Sequence, residues 1–150
     1  MGDYIDMKAA FKAERESLGL TQNDIAEELG VRILAVKRWE NPGKPNTPPE
    51  AAWDFLEEVG EKMVRTVDEA VSAVLENVLE GGSVQLTYYR DQEQYDAFGC
   101  DEGSVHVANA NARRVAIELR RLGYTVGWAY PNSTSNVYHN AAWTVEDEDE

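Results

Sequence analysis

Five residues between positions 32 and 38 combine hydrogen-bond donors with apolar tips: Arg32, Ile33, Leu34, Lys37 and Arg38. A guanidinium fork can donate two parallel hydrogen bonds to a phosphate, or to the O6 and N7 edge of a guanine. An ammonium group is a compact charge suited to phosphate, and an aliphatic tip can only touch another apolar group, such as a thymine methyl. Three of the five are cationic in a chain of 150 residues with a formal net charge of −14. The set works only if one rigid element presents all five on the same side.

The segment from Thr21 to Asn41, TQNDIAEELGVRILAVKRWEN, supplies that element. Thr21 is placed to N-cap a first helix by accepting from the backbone N–H of Asp24, whose carboxylate reaches back. Ile25, Ala26 and Leu29 follow on one face at helical spacing. Ala26 is small where two helices would approach closest. Gly30 then takes the positive φ that a sharp turn between helices requires. A second helix is expected from about Arg32 to Glu40, with Val36 and Trp39 pointing back toward the first and Arg32, Ile33, Leu34, Lys37 and Arg38 facing out. The spacing predicts a helix-turn-helix, the motif that lays one helix into the DNA major groove.

From Met7 to Asn41, through KAAFKAERESLGLTQNDIAEELGV and VKRWEN, the chain resembles the Cro/C1-type (XRE-like) helix-turn-helix domains of bacterial and phage repressors. The resemblance implies a five-helix domain that binds operators in double-stranded DNA, usually as a dimer. It implies phosphate contacts from Gln22 and Asn41 at the helix ends. It also implies base-edge contacts from Arg32, Ile33, Leu34 and Arg38, with Lys37 near the backbone; Lys44 in the following loop joins the DNA-contacting set. Two departures stand out. Ile33 and Leu34 occupy positions that are usually polar in such domains, so either sequence preference rests on Arg32 and Arg38 or the apolar pair is buried against a partner. The usual Gly after Asn41 is replaced by Pro42-Gly43, opening a Pro-rich loop to Pro49.

The acidity is unevenly placed. Residues 1–50 carry 7 Lys/Arg against 9 Asp/Glu, residues 51–100 carry 3 against 11, and residues 101–150 carry 4 against 8. Because screening limits a field to roughly 8 Å in physiological salt, a distant acidic body weakens nonspecific attraction without cancelling close contacts. No apolar run reaches the length of a membrane span, and no secretory leader is expected. The single cysteine, Cys100, excludes an internal disulfide and fits a reducing cytoplasm. Glu146 to Glu150 reads as a solvated, disordered tail.

Thr47, Pro48 and Glu50 predict a helix start, and apolar residues at Trp53, Leu56, Val59, Met63, Val67, Ala70, Val74 and Val78 carry a long helix to Glu80. Gly60 is a point where it would divide. A stripe that long needs a cover, from the C-terminal region, a second copy, or both. Val84, Leu86 and Tyr88 alternate as a strand, Asp91 to Phe98 and Ser104 to Leu122 read as helices, and Tyr124 to Tyr130 as a second strand. Val137 to Val145 would add a weaker third. The order of elements, with PPEAAWDFLEEV and VQLTYYRDQEQYDAF, resembles the YdiL-like and anti-CRISPR-associated regulators, which implies a C-terminal dimerisation region.

The expected fold is therefore α+β and mostly α. A five-helix-type domain occupies 1–48, a connecting helix 49–80, a β-α-α-β dimerisation region 83–145, and an acidic tail 146–150. No phosphate loop or metal-ligand spacing occurs, and His106 and His139 read as ordinary residues, so no cofactor, metal or enzyme chemistry is expected. The aromatic residues Tyr88, Tyr89, Tyr95, Trp128 and Tyr130 would either pack strands on helices or stack on single-stranded RNA bases. The functional expectation is a cytoplasmic, dimeric repressor on a palindromic operator. An acidic protein-interaction module, antitoxin-like or anti-defence, is the alternative.

Overall fold

The computed structural model describes residues 6–131 and 143–145. The chain divides into two compact units, Met1–Lys62 and Met63–Glu150, a boundary that falls inside the long helix rather than at 48/49. The first turns of that helix belong to the N-terminal core: Ala52 and Leu56 are buried there, and Trp53 stacks edge-on to Phe11.

The N-terminal unit holds α1 (Met7–Ser17), α2 (Gln22–Leu29), α3 (Ile33–Glu40) and the start of α4 (Glu50–Asn77). That makes four helices among its described residues, not five, because the Pro-rich stretch 41–49 forms a turn and bends but no helix. Asp6 caps α1 by accepting from the N–H groups of Lys8 and Ala9. The Thr21–Asp24 capping box forms as expected, with 3.0 Å and 2.9 Å bonds in its two directions. Gly30 closes α2 at φ 68°, ψ 33°, a left-handed conformation that a β-branched residue would adopt only under strain. Phe11, Leu18, Leu20, Ile25, Ala26, Val36 and Trp39 are buried in this unit, the signature of one shared core.

Helix α4 starts later than the Thr47 cap predicted. The carbonyl of Pro49 accepts from Ala52 and Trp53, so the second proline, not Thr47, sits at the helix mouth. Gly60 does not divide the helix. Of the apolar stripe, Leu56, Met63, Ala70, Val74 and Val78 are buried and Trp53, Val59 and Val67 half-buried. The chain itself covers the stripe, so the stripe makes no demand for a second copy.

The second unit contains the rest of α4, then β1 (Ser83–Thr87), α5 (Gln92–Phe98), α6 (Val105–Arg121), β2 (Thr125–Ala129) and β3 (Trp143–Val145). The sheet order is β2-β1-β3. β1 and β2 run parallel from Ser83↔Thr125 to Thr87↔Ala129, as a crossover through two helices requires. β3 pairs antiparallel on the other edge, Leu86 opposite Trp143. The stretch 137–142 of the expected third strand, His139 and the acidic tail lie outside the described residues. Val84 and Leu86 alternate inward with half-buried Gln85 and Thr87, and they join Val74, Val78, Val115 and Leu119 in one apolar cluster. Gly123 ends the turn after α6 at φ 97°.

The five aromatic residues divide. Tyr89 and Tyr95 are buried edge-to-face, centroids 4.8 Å apart, while Tyr88 meets Trp128 nearer the surface and Tyr130 is exposed. The strand's alternation fails at Tyr89 because Asn109 clamps it: the Asn109 amide accepts from Tyr89 N–H and donates to Tyr89 C=O, both at 2.9 Å. Burial, with Cys100 and Asp101 adding charge repulsion, pushes the Tyr89 phenol up to about 12. Burial, reinforced by its hydrogen bond to Asp101, pushes Tyr95 up as well. A raised phenol favours folding in its protonated form, so this contribution is complete below pH 10 and lost as pH rises through about 12. Denaturant melts across that window should show stability falling, and falling less steeply in Tyr89→Phe. Parallel slopes for the two proteins would remove Tyr89 as the cause.

Candidate nucleic-acid interface

Helix α3 has two contrasting sides. Val36 is fully buried and Trp39 nearly so, Trp39 meeting Phe11 edge-on at 6.0 Å, which fixes the inner side against the unit's core. On the other side Arg32, Ile33, Leu34, Lys37 and Arg38 are all exposed. The segregation follows from helical phase: 33, 34, 37 and 38 fall together, and 36 and 39 fall away from them. Arg32, expected as the first residue of this helix, lies one residue outside it, at the N-cap position with extended backbone (φ −77°, ψ 148°) and no side-chain cap bond. The first-turn N–H groups of α3 therefore have no capping side chain and suit an anion.

The C-terminal end of α3 is held by a contact that the sequence did not announce. The Lys8 ammonium donates to the carbonyls of Arg38 (3.0 Å), Trp39 (3.3 Å) and Asn46. A cation there satisfies end carbonyls and complements the negative end of the helix dipole. In sequence Lys8 is indistinguishable from a solvated lysine.

A second hidden contact lies beneath the helix ends. Arg15 is buried, its Nε and Nη2 donating to the two Glu40 oxygens at 2.7 and 2.9 Å and its Nη1 to the Leu20 carbonyl at 2.8 Å. A signal existed. Phe11, Arg15 and Leu18 share one face of α1, and a charge on an apolar stripe needs a buried partner.

The remaining expected residues are placed less simply. Gln22 is half-buried and its amide donates to Glu40 at 3.0 Å, so it braces the Arg15–Glu40 pair and is not held out toward solvent. Asn41 is exposed, but its side-chain oxygen accepts from Gly43 N–H at 2.8 Å and shapes the Pro42-Gly43 turn. Lys44 is exposed in that turn, its N–H bonded to the Asn41 carbonyl. The structure thus gathers Arg32, Ile33, Leu34, Lys37 and Arg38 on one face, puts Asn41 and Lys44 in the loop after it, and turns the Gln22 amide inward.

No helix among the described residues is long and apolar enough to cross a membrane. Residues 11–60 match a family model described as helix-turn-helix. The matched span contains α2, α3 and the buried residues that orient them, and it supports a Cro/C1-type helix-turn-helix in a DNA-binding regulator. Among curated proteins the chain finds no match.

Proposed function

We propose that the chain is a dimeric, sequence-specific transcriptional repressor that places α3 of each copy in successive major grooves of a near-palindromic operator. The observation that carries this reading is the two-sided α3: one side pinned by Val36 and Trp39, the other presenting Arg32, Lys37 and Arg38 to solvent. Arg32 and Arg38 are the readers of guanine edges, Lys37, Asn41 and Lys44 contact phosphate, and Gln22 acts through Glu40. Half-sites would lie about 34–36 Å apart, one helical turn. The resemblance of the element order to YdiL-like and anti-CRISPR-associated regulators is the ground for proposing repression of neighbouring genes. A mobility-shift assay on the DNA upstream of the chain's own gene tests this, expecting a shift that weakens steeply with salt. Arg38→Ala should cost roughly 1–3 kcal/mol and relax preference at one base pair. Unchanged preference in that variant would remove Arg38 as a reader.

Dimerisation is assigned to the second unit. Ile117 on α6 is 66% exposed, with Arg113, Arg114, Arg120 and Arg121 around it on the same helix surface. The exposed side of the second half of α4 is complementary, carrying Asp68, Glu69 and Glu76 with Val64 and Leu75. Both helices bury their opposite sides in the same apolar cluster, so a two-fold pairing of α6 with the partner's α4 is self-consistent. Ile117→Glu should shift the sedimentation mass from dimer to monomer at micromolar concentration. A wild-type chain that already sediments as a monomer counts against the assignment.

The alternative, an acidic protein-interaction module, draws on the exposed Val31, just before α3, and Ile33 and Leu34 in its first turn. Absence of a shift at any salt concentration would favour it.

A further inference from the structure

We infer that α3 reads a thymine- and guanine-bearing strand, with Ile33 and Leu34 recognising the 5-methyl groups of adjacent thymines. This rests on the DNA-binding reading above and narrows its ligand. The first-turn pair is solvent-exposed, Ile33 at 40% and Leu34 at 49%, in a unit that buries its other large aliphatic residues between positions 18 and 36 more deeply, Val31 excepted. The flanking exposed residues of the same helix are Lys37 and Arg38, with Arg32 at its N-cap. The outer face of α3 therefore holds aliphatic tips and cationic donors, and no side-chain acceptor. The only acceptor on the helix, Glu40, is turned inward and bonded to Arg15 and Gln22.

That inventory limits what the helix can recognise. In the major groove, adenine offers an N6 donor beside its N7 acceptor, and cytosine offers an N4 donor. Pairing with either donor needs a side-chain acceptor such as Asn, Gln, Asp or Glu, which this face lacks. Guanine offers two acceptors to an arginine fork, and thymine offers its O4 acceptor and the only methyl group in the groove. The cationic neighbours supply attraction to the phosphates on either side, which makes a duplex the occupant for this apolar pair.

The test has two arms. Selection from a random duplex pool first identifies the preferred site; each thymine in it is then replaced by deoxyuridine, which removes the methyl and keeps the base pairing. Burial of one methyl-sized group corresponds to roughly a fourfold affinity change. We expect about that loss per methyl at one or two adjacent positions of each half-site. The loss should shrink toward nothing in Ile33→Ala and Leu34→Ala, whose exposure leaves the fold intact, as circular dichroism checks. A pool that yields no preferred duplex overturns the DNA-binding reading and this inference with it. A preferred duplex bound equally well with uracil throughout overturns only the inference, as does a uracil effect that survives both alanine variants.

Discussion

Arg15→Met is expected to destabilise the N-terminal unit by about 3–5 kcal/mol, far more than loss of a surface ion pair, which is worth about 0–1 kcal/mol. The Glu40 side chain is 4% exposed and receives two of its hydrogen bonds from Arg15 and one from Gln22. Removing the guanidinium leaves a buried carboxylate with one neutral donor, and it also strips the Leu20 carbonyl of its Arg15 bond. The asymmetry between breaking and replacing such a pair gives the decisive comparison. Arg15→Met with Glu40→Met should recover much of the loss, because two well-packed apolar side chains do not strand a charge. Urea melts of the single and double variants check this. If the double variant loses as much as the sum of the singles, the two residues are not coupled. The same variant bears on function, since Glu40 is the last residue of α3 and Gln22 the first of α2.

Phe11→Ala is the other large effect, also about 3–5 kcal/mol. Phe11 is fully buried and meets two indoles edge-on, Trp39 at 6.0 Å and Trp53 at 5.2 Å. It is thus the contact through which α1 supports both α3 and the start of α4. Truncation leaves a cavity with two large rings on its walls, and small units have little stability to lose. Tryptophan fluorescence should report an early denaturant midpoint, and DNA affinity should fall with it although Phe11 is buried and is not one of the outward residues of α3. Phe11→Leu, which fills most of the volume, should retain most of both. A midpoint for Phe11→Ala close to that of the parent would mean that the ring contacts carry little of the packing.

The polar links between helices of the N-terminal unit share a purpose. Arg15 joins α1 to the end of α3, Gln22 joins α2 to the same point, and Lys8 reaches the carbonyls just before and beyond it. None of these side chains belongs to the exposed face of α3. Together they set where α3 ends and how it is held, leaving the five outward residues free for a partner.

The sequence by itself determined the local elements, because capping and periodicity act over a few residues. Thr21 with Asp24, Gly30, Asp91, Ser104 and Gly123 each stand at the boundary that their chemistry dictates. The outward set on α3 was also legible, since helical phase alone separates residues 33, 34, 37 and 38 from 36 and 39. What lay beyond it were contacts between residues distant along the chain. Lys8 on the end of α3, Arg15 on Glu40, Gln22 turned inward, and Asn109 clamping Tyr89 depend on where whole helices come to rest. Cover for the α4 stripe and the boundary inside that helix are decided the same way. Burial is a property of the packed chain, and a pattern of apolar residues states only that cover is needed, never which surface supplies it.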